Sequence, residues 1–519
     1  MTGATALLGN AHRRAAALRD RYRTAGLWSA EPLDVVRAAA SRWPSRIAVR
    51  DRARALTYSE LDERVDRACA AMAAAGMTAA ASTAVVAGND VESLVAIHAA
   101  VRMDAVVLLV SRGSGPTQVG DIITRTGAAF GVAPNWPAAA DAQLAGRLTW
   151  IDLDCGSSCV ATHPTRAADE PCFVLYTSGT TSAPKGVIHS LSTLAKASLN
   201  YIGAAGLGAD DRIFLISPLA SVTGVLQAVF VAPMLGVPVI LEDRWDPVAT
   251  CELLVSSGAT WYGGPDRLLG RLLDEVVAHD WRIPLLAVCL GGTMLDRRIV
   301  ERVEDDFGVI VLRAYGSSEV PASTSGLRGE PREVRHADDG VALPDVEVRV
   351  GSVGDPTECC IRGPHAFLGY TDTGDEANAF DGEWFRTGDA AELAGRRVRV
   401  VGRLKDIIIR NGLKIPAAEV EEAVARLPVV RDCAAYPVID DVTGERLALA
   451  VVCEPDVKPS LADVTAALLS AGLPKYKLPE ELVFWDEPLP VNANGKVERK
   501  TLAARGVGRP RALADRLLR

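Results

Sequence analysis

Short apolar runs alternating with helix-periodic stretches organise most of the chain. The first ~50 residues read as amphipathic helix. The segment ALTYSELDERVDRACAAMAAAG at 55–76 then predicts a strand, an N-cap at Ser59 and a helix closed by Gly76. Across 80–320 the runs STAVVAG, DAVVLLV, FVLYT, IFLIS, VPVIL, ATWYGG and LLAVCLGG alternate with helical patterns. That alternation predicts an α/β architecture with largely parallel sheets. After about residue 340 the strands become short (DVEVRV, ECCIRG, EWFRTGD, AELAGRRVRVVGR), with a hairpin turn expected at Gly395, so a small β-rich subdomain follows. From about residue 406 helix and strand alternate again in AAEVEEAVARL, VRDCAAYPVI, LALAVVC, LADVTAALLSAG and ELVFW, a compact α+β unit. The junction VGRLKDII is the expected domain boundary.

One stretch tests this reading. From Ile213 to Leu241 no residue is charged, long enough to span a bilayer. Pro218, Pro233 and Pro238 with Gly224 and Gly236 instead divide it into a strand, a loop, a short helix and another strand, so a buried core segment is expected and no membrane span.

The 519 residues suit two to four domains, and 49% apolar with 23% charged residues is a globular composition. Acidic residues (65) outnumber basic ones (56), giving a net charge of −9, which opposes an unaided grip on nucleic acid or an anionic membrane. A polyanionic ligand must therefore be held locally. The ten cysteines form neither a CxxC pair nor a zinc-spaced Cys/His cluster, and no apolar signal segment interrupts the charged N-terminus. Reduced thiols and a cytoplasmic location are the expectation.

The strongest local motif is FVLYTSGTTSAPKGVIHS. An apolar strand runs into Thr177, Ser178, Gly179, Thr180, Thr181, Ser182, Ala183, Pro184, Lys185 and Gly186. Glycines and small hydroxyls let backbone N–H groups close around phosphate oxygens, and the lysine adds a mobile charge. The Walker A spacing is absent.

With AYGSSEV at 314–320, DGEWFRTGD at 381–389, GRLKDIIIRNGLKIPAAEVEEAV at 402–424 and LPVNANGKVERKTL at 489–502, the chain resembles the adenylate-forming superfamily. That superfamily holds acyl-CoA synthetases, peptide-synthetase adenylation domains and beetle luciferases. The resemblance covers nearly the whole chain and implies a large N-terminal domain of two doubly wound α/β subdomains plus a β-rich subdomain (1–403). A small, mobile α+β C-terminal domain (404–519) follows. It also implies that a carboxylate attacks the α-phosphate of Mg-ATP to give an acyl-adenylate, whose acyl group then passes to the thiol of CoA. In such chemistry catalysis is mostly positioning and charge neutralisation.

Residue by residue, the resemblance places Thr177, Ser178, Gly179, Thr180, Thr181 and Lys185 on the β- and γ-phosphates, with Tyr315, Gly316 and Ser318 also at the nucleotide. Glu319 would hold Mg²⁺, Asp389 the ribose hydroxyls, Arg403 the ribose or phosphate, and Lys496 the carboxylate and α-phosphate. Lys405 falls at the hinge and Gly412 on the thiol tunnel. Taken singly, Asp389 could cap a turn, Glu319 could be a surface carboxylate and Lys496 a solvated hairpin lysine; only the joint pattern assigns them. His189 matches no role.

Ser182 replaces a usual glycine, Ser318 a usual threonine, and Ser221 stands where many acyl ligases have His or an aromatic. The acyl pocket is expected from Ser221, Val222, Thr223 and Gly224, from Tyr262, Gly263 and Gly264, and from Gly291, Gly292 and Thr293. Leu219 stands where peptide-synthetase domains place an aspartate, which disfavours an α-amino acid. Gly263 and Gly264 are expected to widen the pocket for a bulky alicyclic, aromatic or polycyclic acid. The alternatives are a stand-alone ligase loading an acyl carrier protein, an enzyme using only preformed acyl-adenylate, and a degenerate nucleotide-binding protein. A monomer or homodimer is expected.

Overall fold

The computed structural model describes residues 7–137, 144, 146, 148–153, 162–177, 184–291, 295, 297–455, 457–491 and 497–517. The chain forms two compact units. The first comprises Met1–Gly292, Val303–Val348 and Ile361–Phe385; the second comprises Thr293–Arg302, Arg349–Cys360 and Arg386–Arg519.

The first unit holds two sheets. One has seven strands in the spatial order Gly369–Tyr370, Lys185–Ser190, Pro171–Thr177, Val106–Ser111, Ser82–Ala87, Phe130–Val132 and Thr149–Trp150. Its pairs are parallel from Pro171–Thr177 outward to Thr149–Trp150, and antiparallel at the other end. Strands such as Ser82–Ala87 are buried at every position, which is why they read as unbroken apolar runs. Helices Val91–Arg102, Gly115–Thr126 and Leu191–Ala205 belong to the same α/β alternation. The last is capped by Ser190 and Thr193 in a reciprocal capping box and ends at Gly206, whose φ of 58° suits glycine.

The second sheet orders Val341–Ala342, Thr324–Ser325, Ile310–Tyr315, Ala287–Gly291, Trp261–Gly264, Ile213–Leu215, Val239–Leu241, Ile47–Arg50 and Ala55–Thr57. It is parallel from Ile310–Tyr315 through Ile47–Arg50. The charge-free stretch forms the strands Ile213–Leu215 and Val239–Leu241 with helix between them, as a core segment should. Its helix, however, is longer than the prolines suggest: Val222–Gly224, a π-helical stretch Val225–Val231 and Ala232–Leu235 follow without a break. Among the described residues no helix is long and apolar enough to cross a membrane.

The helix after the strand Ala55–Thr57 is capped by Thr57, not Ser59. The Thr57 hydroxyl accepts from Glu60 N–H, and the Glu60 carboxylate accepts from Thr57 N–H. Nearby, buried Arg102 pairs with Asp34, Asp62 and Asp66 at 2.7, 2.6 and 2.8 Å, tying three helical segments together.

In the second unit, residues 389–394 of the strand Trp384–Ala394 pair with Arg397–Arg403 in the expected hairpin, with Gly395 at φ 62° in its turn. A further sheet orders Leu413–Pro416, Ile407–Arg410, Gly444–Cys453, Glu481–Phe484 and Arg511–Leu513, and Val430–Asp440 also pairs with Gly444–Cys453. Helices Ala417–Ala425 and Leu461–Ser470 pack on it through Val420, Val424, Val464 and Leu468. The cysteines among the described residues are free thiols.

Candidate active site

The phosphate-loop motif joins two paired strands. Thr177 at the end of Pro171–Thr177 lies directly opposite Lys185 at the start of Lys185–Ser190, so both ends of the loop are fixed by the sheet. Ser178, Gly179, Thr180 and Thr181, like Gly292, Thr293 and Lys496, lie outside the described residues. Lys185 Nζ sits 3.0 Å from Asp375 Oδ1 and 5.1 Å from the centre of the Tyr370 ring. Gly186 is needed for close approach, since a Cβ there would fall 2.5 Å from Thr371 Oγ1, whose backbone N–H donates to Gly186 O at 2.9 Å.

Glu319 is presented by the loop after the strand Ile310–Tyr315. Gly316 makes that loop tight: a Cβ there would meet Ala322 N and Val320 O at 2.9 Å. Glu319 N–H donates to Ser317 Oγ at 3.2 Å, and its carbonyl accepts from Phe367 N–H at 2.7 Å. The Tyr370 hydroxyl donates to Glu319 Oε1 at 2.8 Å. Burial and the adjacent Glu319 carboxylate both raise the Tyr370 pKa, so the phenol stays protonated and remains a donor.

His189, to which the sequence assigned nothing, props the same loop. Its Nε2 lies 2.7 Å from Ser318 O and its Nδ1 2.9 Å from Thr193 Oγ1. A carbonyl can only accept, so the ring proton is on Nε2. Burial lowers the His189 pKa to about 4 and keeps the ring neutral. Thr177, Lys185, Tyr315, Gly316, Ser318 and Glu319 are thus gathered at the strand ends of one unit, and the structure adds Tyr370, Asp375 and His189. No local signal reveals these three, because Tyr370 lies 51 residues and His189 about 130 residues from the loop they hold.

Among the described residues no cluster of three or more His, Cys, Asp or Glu could cage a metal. A single carboxylate such as Glu319 fits Mg²⁺, which keeps most of its waters and takes its other ligands from substrate phosphates.

The acyl-pocket expectation is corrected in part. Gly263 and Gly264 do not open a void. A Cβ on Gly263 would fall 2.5 Å from the Tyr201 hydroxyl and 2.7 Å from both polar atoms of the Gln227 amide, so the protein's own groups fill that space. Over Gly264 stands the ring of Tyr262, 3.0 Å from where a Cβ would lie. Tyr262 itself is buried, with its hydroxyl donating to Pro265 O at 2.8 Å. Gly291 and Gly224 serve backbone approach, since a Cβ on Gly291 would fall 2.7 Å from Ala314 O and one on Gly224 would collide with Pro218 O. Ser221 caps the next helix, its hydroxyl accepting from Gly224 N–H at 3.1 Å and donating to Pro218 O at 2.7 Å. Val222 and Thr223 remain partly exposed beside it.

In the second unit Asp389 and Arg403 are direct strand partners, with Arg403 Nε 3.5 Å from Asp389 Oδ1. Asp389 is only 8% exposed. Its backbone N–H donates to Thr387 Oγ1 at 3.1 Å, and that hydroxyl donates to Cys359 O at 2.8 Å, which fixes the carboxylate's base. Lys405 lies in the short 3-10 turn Leu404–Asp406 and is exposed. Gly412 forms a two-residue turn with Asn411. Their φ values of 76° and 51° and the pairing of Arg410 with Leu413 define the hairpin geometry that favours Asn-Gly. An isolated antiparallel bridge between Val491 and Val497 brackets the segment that carries Lys496.

A lysine opposite the carboxyl end of the strand Pro171–Thr177 and a lone carboxylate beyond the carboxyl end of Ile310–Tyr315 suit a nucleotide's phosphates and their metal, the arrangement of an adenylate-forming enzyme. The chain belongs to the AMP-binding enzyme family, which it matches over residues 36–371, with the AMP-binding enzyme C-terminal domain over 419–496. It is 28% identical over 489 residues to an indoleacetate–CoA ligase of Aromatoleum aromaticum, covering 88% of this chain and 94% of that protein. It is 29% identical over 494 residues to the 3-[(3aS,4S,7aS)-7a-methyl-1,5-dioxo-octahydro-1H-inden-4-yl]propanoyl:CoA ligase of Mycobacterium tuberculosis, covering 89% and 96%. The crystal structure of ATP-bound MatB from Rhodopseudomonas palustris matches with a TM-score of 0.81 at 25% identity, over 91% of this chain and 98% of that one.

Proposed function

We propose that the protein is an acid–thiol ligase that activates a ring-bearing carboxylic acid with Mg-ATP and transfers the acyl group to CoA. The observation that carries this reading is the joint placement of Lys185 and Glu319 around Tyr370 at the strand ends of the first unit. Lys185 exchanges its Asp375 partner for phosphate oxygens, and Glu319 supplies the one protein carboxylate that Mg²⁺ needs. Mg²⁺, when bound, neutralises the charge on the phosphates. Asp389 accepts from the ribose hydroxyls, with Arg403 beside it. Lys496 stabilises the charge that develops as the carboxylate displaces pyrophosphate. Lys405 is the hinge about which 404–519 moves, and the turn at Gly412 lines the thiol's path. The ring-bearing acid and the CoA acceptor are supported by the names of the two relatives, not by the glycines.

The test separates the half-reactions. Lys496→Ala is expected to lose adenylate formation from acid and ATP roughly a hundred- to a thousandfold, since one such transition-state contact is typically worth about 2.7–4 kcal/mol. It should spare thioester formation from supplied acyl-adenylate. Equal loss in both steps refutes the assignment.

A further inference from the structure

Gln227 lies in the π-helical stretch Val225–Val231 and is 0% exposed. Its Nε2 donates to Gly263 O at 3.1 Å and to Thr223 O at 3.4 Å. Both partners are carbonyls that can only accept, so the amide's orientation is fixed. Among the described residues, its Oε1 is then left as a buried acceptor with no hydrogen-bond donor. Buried acceptors are rarely left this way, because the desolvation is uncompensated.

Several residues around it keep accessible surface. The Tyr201 hydroxyl, crowding the same position over Gly263, accepts from Trp261 Nε1 at 3.0 Å. The Cys289 thiol lies within hydrogen-bond reach of that hydroxyl. Tyr201 and Cys289 keep accessible surface, as do Ser221, Val222, Thr223 and Gly291 around them. Strands Trp261–Gly264 and Ala287–Gly291 run parallel and both end here, the side of an α/β sheet on which ligands bind.

We propose that Gln227 Oε1 receives a hydrogen-bond donor, a hydroxyl or a ring N–H, carried by the acid at its end remote from the carboxyl, and that Gln227 sets this specificity. The inference rests on the acid–thiol ligase reading. It replaces pocket size with hydrogen-bond complementarity as the basis of choice. An acid lacking the donor leaves Oε1 unpaired inside a filled pocket, whereas a matched acid satisfies it.

The test uses matched pairs of acids at saturating Mg-ATP, scored by pyrophosphate release. One pair is 3-(4-hydroxyphenyl)propanoate and 3-phenylpropanoate; the other is indole-3-acetate and naphthalene-1-acetate. The wild-type protein is expected to favour the donor-bearing member of at least one pair by about ten- to a hundredfold in kcat/KM, and the pair that responds tells a hydroxyl from a ring N–H. Gln227→Leu and Gln227→Met should bring that ratio to within about threefold, partly by gaining activity on the donor-free acid. Such a gain is one that general damage to the fold cannot produce. Activation of these acids by wild type without donor preference, or a preference that survives both substitutions, overturns the inference and leaves the ligase reading intact. Failure to adenylate any acid of the panel overturns both.

Discussion

Tyr370→Phe deletes one donor and little else. The hydroxyl is bonded to Glu319 Oε1 at 2.8 Å, while the ring packs edge-on to Phe367 at 4.9 Å and under Lys185 at 5.1 Å. Phenylalanine keeps both ring contacts. A hydrogen bond to a charged group contributes about 1.5–3 kcal/mol, or roughly ten- to a hundredfold in an equilibrium or a rate. The variant should therefore lose roughly that factor in kcat/KM for adenylation and need more Mg²⁺ to reach half-maximal rate, because Glu319 is no longer held in one rotamer. The assay is pyrophosphate release across a Mg²⁺ titration at saturating ATP and acid, run beside thioester formation from supplied acyl-adenylate. The second reaction should change by less than about threefold, and Glu319→Gln sets the ceiling for the first. A Mg²⁺ requirement that stays the same or falls would refute the reasoning, since it would mean that the phenol competes with the metal rather than orienting its ligand.

Arg102→Ala strands Asp34, Asp62 and Asp66 with Arg37 as their remaining partner near Asp62 and Asp66, and is expected to destabilise the first unit by about 3–5 kcal/mol. Urea denaturation checks it, and a loss below about 1 kcal/mol contradicts a buried network. His189 gives a pH dependence. Its folded pKa of about 4 lies below the ordinary histidine value of 6.5, so above pH 6.5 both states are neutral. As pH falls from 6.5 towards 4 only the unfolded chain takes the proton, and stability drops by about 3 kcal/mol. His189→Gln should flatten that part of the profile, and parallel profiles for the two proteins would show that burial does not set the ring's titration.

Much of the fold was legible because its strands are buried on both faces. Val106–Ser111 and Pro171–Thr177 read as apolar runs for that reason. The helix cap was missed by two residues although the deciding pair, Thr57 and Glu60, is visible in the sequence as a capping box. The helix through Pro233 was underestimated. Ala232 N–H bonds to Gln227 O five residues back, so the register has already slipped where the proline arrives, and its missing donor breaks nothing. At the site, Thr177 and Lys185 stood out as parts of a loop of small hydroxyls and glycines after a buried strand, whereas Glu319 was assigned only through the family resemblance. Tyr370, Asp375 and His189 gave neither signal, since contacts across the sheet leave no local pattern. The glycines misled for a related reason: a sequence shows that a side chain is missing, but not which neighbour occupies the gap. Gln227 fills the space over Gly263 from 36 residues away.

The strand Lys185–Ser190 gains its outer partner from Gly369–Tyr370, roughly 180 residues later in the chain. At a synthesis rate of about 5–20 residues per second, that edge waits on the order of ten to forty seconds for its cover. Val187 and Ile188, both buried in the finished protein, lie on it. During that interval the nascent chain carries an unpaired, apolar sheet edge next to its phosphate loop, a template for pairing with another copy. A chain stopped before Gly369 would keep that edge open permanently, and its solubility, more than its residual activity, would record the loss.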